Sequence, residues 1–189
     1  MRWFVALLFI APGCVGEINS ASPGSGTDAG SAQSGNGSDA GASPALELFD
    51  IQMLEKASHV SQFTKINTKP SASAIGAFNI DVLVNQDAAE FKQIHPETSG
   101  SKVVMPVGTL IVRNVLDAAG KVTKVTLMAK GAAGYDPTLG DWWFGVTDPS
   151  GAPLTDATGL QVGRLSACHS CHIPRASDDF LFGVPAADQ

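Results

Sequence analysis

Five consecutive residues near the carboxyl end, Cys168-His169-Ser170-Cys171-His172, carry the densest chemistry in the chain. Two thiols three positions apart, followed at once by an imidazole, form the C-x-x-C-H pattern of c-type haem attachment. In that chemistry each thiol bonds one vinyl group of a porphyrin as a thioether, and the imidazole ligates the iron from the same side. Cys168, Cys171 and His172 are therefore the candidate cofactor residues for one covalent haem c, with His172 as the metal ligand. Two other readings use the same residues: a redox C-x-x-C pair and half of a zinc site. A zinc site needs a second pair of Cys or His, and the remaining ones, Cys14, His59 and His95, stand isolated in the sequence.

Only 17 residues follow His172, and all four methionines, Met1, Met53, Met105 and Met128, precede the motif. The small electron-transfer cytochromes c have the opposite order, motif first and Met ligand later. This chain departs from them and leaves the sixth iron position without an obvious owner. Met53 falls on an apolar helical stripe, where core packing is the better reading. His59, near the end of that helix, reads as a solvated residue favoured by the helix dipole. His95, in a loop before Pro96, reads as surface. Met105, Met128 and His95 are the residues to test should the iron prove six-coordinate.

The elements that must position the motif are legible from periodicity. Ser43-Pro44 offers a cap and a first-turn proline. Leu46, Phe49, Met53, Ala57 and Val60 then recur at spacings of three and four, so residues 45 to 60 read as an amphipathic helix. Ile80, Val82 and Val84 alternate with Asp81 and Leu83 as a short strand. Asp87-Ala88-Ala89-Glu90 has the form of a capping box opening a brief helix through Ile94, which His95-Pro96 stops. Residues 102 to 147 read as an antiparallel meander: a β-rich run from Thr109 to Val115, a turn at Ala118-Ala119-Gly120, alternation from Val122 to Ala129, and a strand at Trp142-Trp143-Phe144-Gly145-Val146. Asp148-Pro149-Ser150-Gly151 ends it as a turn. The aromatic residues fill the core or wall the haem. The expected class is α+β, a mostly antiparallel β-sheet with flanking helices forming a single c-type haem domain over residues 45–189.

The amino-terminal quarter has a different character. Met1-Arg2 supplies a positive start, Trp3 to Ile10 is a run of eight apolar residues, and Ala11-Pro12-Gly13-Cys14 follows. Together these read as an export signal over residues 1–14, and eight apolar residues are too few to span a bilayer. Export fits covalent haem, which bacteria attach on the outer side of the inner membrane. Cys14 directly after the apolar run resembles a lipoprotein cleavage site, which would place the protein on the periplasmic side, held to the membrane through an acylated Cys14. An ordinary signal peptide cut nearby is the alternative. Residues 15–44 form a Gly/Ser/Ala-rich linker that lacks the apolar surface to offset its own ordering. Its part from Ile18 to Pro44, 27 residues, would span roughly 30 Å as a flexible coil. The net charge of -6 gives no basic footprint for nucleic acid.

Beyond the haem motif, an ordered series of segments resembles the cytochrome P-460 family, which includes the beta-type cytochromes c′. The series is Pro106-Val107-Gly108-Thr109-Leu110-Ile111-Val112-Arg113, Leu127-Met128-Ala129-Lys130, Gly134-Tyr135-Asp136-Pro137, Gly140-Asp141-Trp142-Trp143, the haem motif, and Asp178-Asp179-Phe180-Leu181-Phe182, within about Ile80 to Val184. The resemblance implies an antiparallel β fold with flanking helices and one haem c, commonly five-coordinate, whose distal pocket binds small ligands such as nitric oxide. Some members oxidise hydroxylamine and carry a lysine bonded to the porphyrin. The family segment ends Gly-Thr-x-x-x-Lys, and the matching residue here is Arg113. On strand parity Arg113 shares a face with Thr109, Ile111 and Val115 and could point at the pocket. It could equally be salt-bridged at a strand edge or bonded to a haem propionate. Lys130 matches a recurrent family lysine and is expected to be structural or solvated.

Two functions compete. The first is an exported mono-haem cytochrome that binds a small ligand such as nitric oxide or carries electrons; the second is an oxidoreductase acting on hydroxylamine or nitric oxide. The arginine in the lysine position favours the first, because the oxidising members depend on a tuned haem and a distal acid-base group. Glu90, Asp136 and Asp141 are the carboxylates available for such a group. A purely structural lipoprotein would leave the motif unexplained. The partners this implies are a diatomic or nitrogen-oxide ligand, a redox partner protein, the membrane through its lipid anchor, and a second copy in a homodimer.

Overall fold

Two adjacent tryptophans on one strand organise the molecule, because successive strand residues point to opposite faces of a sheet. In the computed structural model, which describes residues 46–74 and 76–189, Trp142 and Trp143 are both completely buried, each in a different hydrophobic cluster. The expected signal, Cys14, the linker and the Ser43-Pro44 cap lie outside the described residues. Among the described residues no helix is long and apolar enough to cross a membrane.

The elements in order are α1 (Leu48–Ser58), β1 (Thr64–Lys65), β2 (Ser71–Ala72), β3 (Asn79–Val84), α2 (Ala88–Phe91), β4 (Leu110–Leu116), β5 (Val122–Lys130), β6 (Trp142–Thr147), β7 (Thr155–Asp156), β8 (Gly159–Leu160), β9 (Val162–Gly163) and α3 (His169–His172). A seven-stranded sheet runs β1-β3-β4-β5-β6-β9, with β2 also on β3, and every pairing in it is antiparallel. The described residues are thus α+β with a mostly antiparallel sheet, as the alternation predicts. One register line crosses Val84, Ile111, Met128 and Phe144, and the next crosses Val82, Arg113, Thr126 and Val146. Both lines face the same side.

On the opposite face, α1 packs Met53, Phe49, Leu54 and Ala57 against Leu110, Val112, Leu127 and Trp143. Met53 is a core residue, as its stripe predicts, and His59 is exposed at the helix end. The helix is shorter than residues 45–60. Its N-cap is Glu47, whose N–H donates to the Asp50 carboxylate at 2.7 Å, and a 3-10 turn, Val60–Gln62, follows. Asp50 is buried because it also accepts the indole N–H of Trp143 at 2.7 Å. That bond ties helix to sheet.

Two further expectations need correction. Asp87 precedes α2 with φ of 54° and makes no side-chain cap, so the capping box does not form, and the α-helix ends at Phe91 in place of Ile94. The meander begins at Leu110, since residues 102–109 form a loop that buries Met105 and brings its N–H to Asp179 at 2.8 Å. A polar side chain, not a neighbouring strand, satisfies that backbone donor.

Candidate functional site

The segment after β9 covers the sheet face that carries Ile111, Arg113, Met128 and Phe144. A 3-10 turn, Ser166–Cys168, leads into α3, and a kinked 3-10 stretch, Ile173–Asp178, leaves it. Residues 168 to 173 all have right-handed helical backbone angles. Cys168, Cys171 and His172 therefore occupy positions i, i+3 and i+4 of one turn, the spacing that puts side chains on a common side.

The His172 imidazole is held in a defined orientation. Its Nδ1 lies 2.6 Å from the Phe180 carbonyl oxygen, to which it donates in the tautomer that frees Nε2, and Nε2 has no hydrogen-bond partner among the described residues. Phe144 and Phe182 pack edge-on against the ring at centroid distances of 5.2 and 5.1 Å. Burial pushes its pKa down, with the Arg113 charge adding to that effect and the Phe180 hydrogen bond opposing it. A neutral imidazole with one nitrogen engaged by a carbonyl is the form a metal ligand requires.

The Phe180 carbonyl is itself positioned by a polar lock. Asp179 and Phe180 both adopt left-handed backbone angles, φ of 53° and 63°, a local cost of order 1 kcal/mol each. That conformation persists because the buried Asp179 carboxylate accepts from Lys130 Nζ at 2.5 Å and from the Met105 N–H at 2.8 Å, while its carbonyl accepts the Trp142 indole N–H at 2.8 Å. Lys130 is thus structural, one of its two expected roles. The neighbouring Asp178 accepts from the Ser101 N–H at 2.8 Å and pairs with Arg175 at 3.1 Å. Arg175 also donates to the carbonyls of Leu181, Thr98 and His95.

Two cavities, of about 150 and 20 Å³, share Ile111, Arg113, Met128 and His172. Cys168 lines the larger, while Cys171 lines neither and is exposed. Arg113 projects between them from an interior strand, with Nε shielded from solvent and without a hydrogen-bond partner. The strand-edge ion pair is therefore not its role: β4 has a strand on each side, and Arg113 forms no salt bridge among the described residues.

The donor set suits a thioether-linked haem: two thiols and a free imidazole nitrogen on one helical turn, an apolar wall, and a guanidinium whose shielded Nε lacks a partner that a propionate or a ligand could supply. The cavities are smaller than the roughly 300–1,000 Å³ typical of sites that enclose a cofactor. A macrocycle would have to part α3 from the sheet, and α3 packs chiefly on the 3-10 segments flanking it. A reactive C-x-x-C pair needs a lowered thiol pKa, whereas burial and then Cys171 push Cys168 up to about 11. Among the described residues no three His, Cys, Asp or Glu side chains converge to hold a metal ion.

Of the other candidates, Met128 lines both cavities, while Met105 packs elsewhere in the core. His95 is not free surface: its Nδ1 contacts the Val184 carbonyl at 3.1 Å and the Gln189 amide at 3.2 Å. Glu90 is exposed on α2, Asp141 accepts the N–H groups of Gly134 and Asp136, and Asp136 sits 3.8 Å from His169. None of these carboxylates lines either cavity. Phe144 belongs to the core and also lines the larger cavity, in keeping with the core-or-wall expectation for the strand aromatics, while the Phe182 ring and the Phe180 carbonyl are site groups to which the sequence assigns no role. No protein-family model matches this chain, and no curated protein matches it.

Proposed function

We propose that this chain is an exported mono-haem c-type cytochrome of the cytochrome P-460 family that binds a small ligand such as nitric oxide or carries electrons. The observation that carries the reading is the orientation of His172. Its Nδ1 is spent on the Phe180 carbonyl and its ring is clamped by Phe144 and Phe182, on the same helical turn as Cys168 and Cys171. Bound there, a haem would supply one-electron iron chemistry and an iron able to bind a small ligand. The protein's part is to hold the ring through Cys168 and Cys171, to present His172 in one tautomer, and to exclude water with Ile111, Met128 and Phe144.

Oxidation of hydroxylamine or nitric oxide ranks second. Arg113 stands where the resemblance puts a lysine that would bond the porphyrin, and a guanidinium stays protonated and does not attack carbon. No carboxylate among the described residues lines the cavities as a distal acid or base.

The decisive experiment has three readouts. After denaturing electrophoresis, haem stain should travel with the wild type and vanish when Cys168 and Cys171 are both changed to Ala; stain persisting on that double variant would refute the attachment. Anaerobic spectra should be those of an ordinary c-type haem, high-spin when reduced, and should change on adding nitric oxide. A red-shifted ferrous band with a haem-linked lysine peptide, from Lys92, Lys102, Lys121, Lys124 or Lys130, together with hydroxylamine turnover, would put the oxidoreductase first.

A further inference from the structure

Among the described residues Arg113 is a charged side chain with no counter-charge. Its strand neighbours in register are Val82 and Thr126, and the walls around it are Ile111, Met128 and Phe144. Its Nε is shielded and without a partner, and no ion pair reaches its head group among the described residues. Burial alone pushes its pKa down, with no carboxylate acting against it, yet a guanidinium remains protonated under such conditions. Arg113 as a whole is half-buried: Nε is shielded and without a partner, while the terminal nitrogens are not, and a Leu or Met of similar length would fill the same space without the cost of partly desolvating an unpaired charge. The head group holds no loop, cap or strand in place. The charge is therefore available to something that enters the cavity, whose other polar side chains are Thr126 on the sheet beside Arg113, Cys168 and His172.

We infer that Arg113 makes the His172 cavity a site for a small monovalent anion, of the nitrite or azide kind, held by the guanidinium with the Thr126 hydroxyl beside it. This deepens the proposed function and rests on it where the iron provides a second contact. It narrows the ligand class from any small ligand to an anionic one. A free inorganic anion and a haem propionate share the chemistry a guanidinium recognises, and the inference commits to the free anion.

The test uses the haem-loaded protein and two variants, Arg113→Gln and Arg113→Lys, at fixed pH and ionic strength. The ferric forms are titrated with azide and the ferrous forms with carbon monoxide, both followed by absorption. Arg113→Gln should weaken azide binding about tenfold to a hundredfold, the effect of losing a charge-assisted hydrogen bond. Its carbon monoxide affinity should change less than about threefold, and Arg113→Lys should recover most of the azide affinity. Azide binding within about twofold of wild type in Arg113→Gln would overturn the inference, since the guanidinium would then be spent on a propionate. Equal losses for azide and carbon monoxide would overturn it as well, by showing that Arg113 only shapes the cavity. Should the wild type carry no covalent haem, the haem reading fails separately, and thermal melting decides the anion site. A rise in melting temperature with azide in the wild type but not in Arg113→Gln supports it; no rise overturns it.

Discussion

Replacing Asp179 by Ala removes three supports at once, and the structure fixes the size of the loss. The carboxylate is 6 % exposed and its partner Lys130 10 % exposed, so the pair is shielded from solvent and salt. Deleting one member of a buried ion pair costs about 3–5 kcal/mol, because the other charge stays buried and unmatched. The Met105 N–H loses its acceptor in the same change, adding roughly 1–3 kcal/mol. Ala also tolerates the left-handed angle at this position less well than Asp. A loss of at least about 4 kcal/mol follows, a large share of the ~5–15 kcal/mol that holds a domain together. Urea denaturation followed through the fluorescence of Trp142 and Trp143 measures it. The double variant Asp179→Ala with Lys130→Met tests the cause: removing the orphaned ammonium should restore about 2 kcal/mol or more. A single variant within about 1 kcal/mol of wild type, or a double variant showing the plain sum of the two single losses, would refute the lock.

Three further outcomes are expected. Gly183 has φ of 67°, and a Cβ there would lie 1.9 Å from the Ile94 carbonyl oxygen, so Gly183→Ala should lower the melting temperature by about 10 °C or more or abolish folding; a wild-type melt would show that the backbone yields at little cost. Burial pushes the Asp178 carboxyl up, but hydrogen bonds from Ser101 and the Arg175 charge outweigh it and hold the pKa below its ordinary value of 3.8. A depressed pKa contributes stability that is complete above the ordinary value and is lost as pH falls through the folded one, so Asp178→Asn should lower stability at neutral pH and flatten the acid limb of the stability profile, an unchanged limb counting against it. If Cys14 is lipidated, the native protein should fractionate with membranes, and Cys14→Ser should release it or leave its signal uncut; a soluble wild type with an unmodified terminus would remove the anchor.

The parts of the fold that depend on a repeating local pattern were legible in the sequence, and those that depend on distant partners were not. Alternation marks β3 and β5, a β-rich run marks β4 and an aromatic run marks β6, and these four strands build the wall of the candidate site. The two-residue strands β1, β2, β7, β8 and β9 are too short to show any period. Asp50 reads as a polar residue on a helix, and nothing nearby reveals that it meets Trp143, which lies 93 positions on. Asp178 and Asp179 reach partners 77, 49 and 74 positions away in Ser101, Lys130 and Met105. The Phe180 carbonyl is backbone and carries no sequence mark. Arg113 was placed on the correct face by strand parity alone, while its want of a partner required three-dimensional neighbours to establish.

The division of labour between the two sheet faces explains how one turn of helix can hold a ligand residue in a fixed direction. A four-residue helix such as α3 has no stability of its own, so the orientation of His172 must come from outside it. The Phe180 carbonyl supplies that orientation, and Phe180 is held because the preceding Asp179 is bolted to Lys130 at the end of β5 and to Trp142 at the start of β6. On the other face, Trp143 bonds Asp50 and so braces the same strand against α1. The path from core to imidazole is therefore short: two strand residues, one carboxylate and one carbonyl. Damage to Asp179 should reach His172 first, because the Phe180 carbonyl bonds its ring directly, whereas among the described residues no hydrogen bond from Asp179 or Phe180 reaches the side chain of Cys168 or Cys171. The cavity wall and the His172 imidazole thus depend on one pair of adjacent strands, and a site assembled that way gains its rigidity from the sheet.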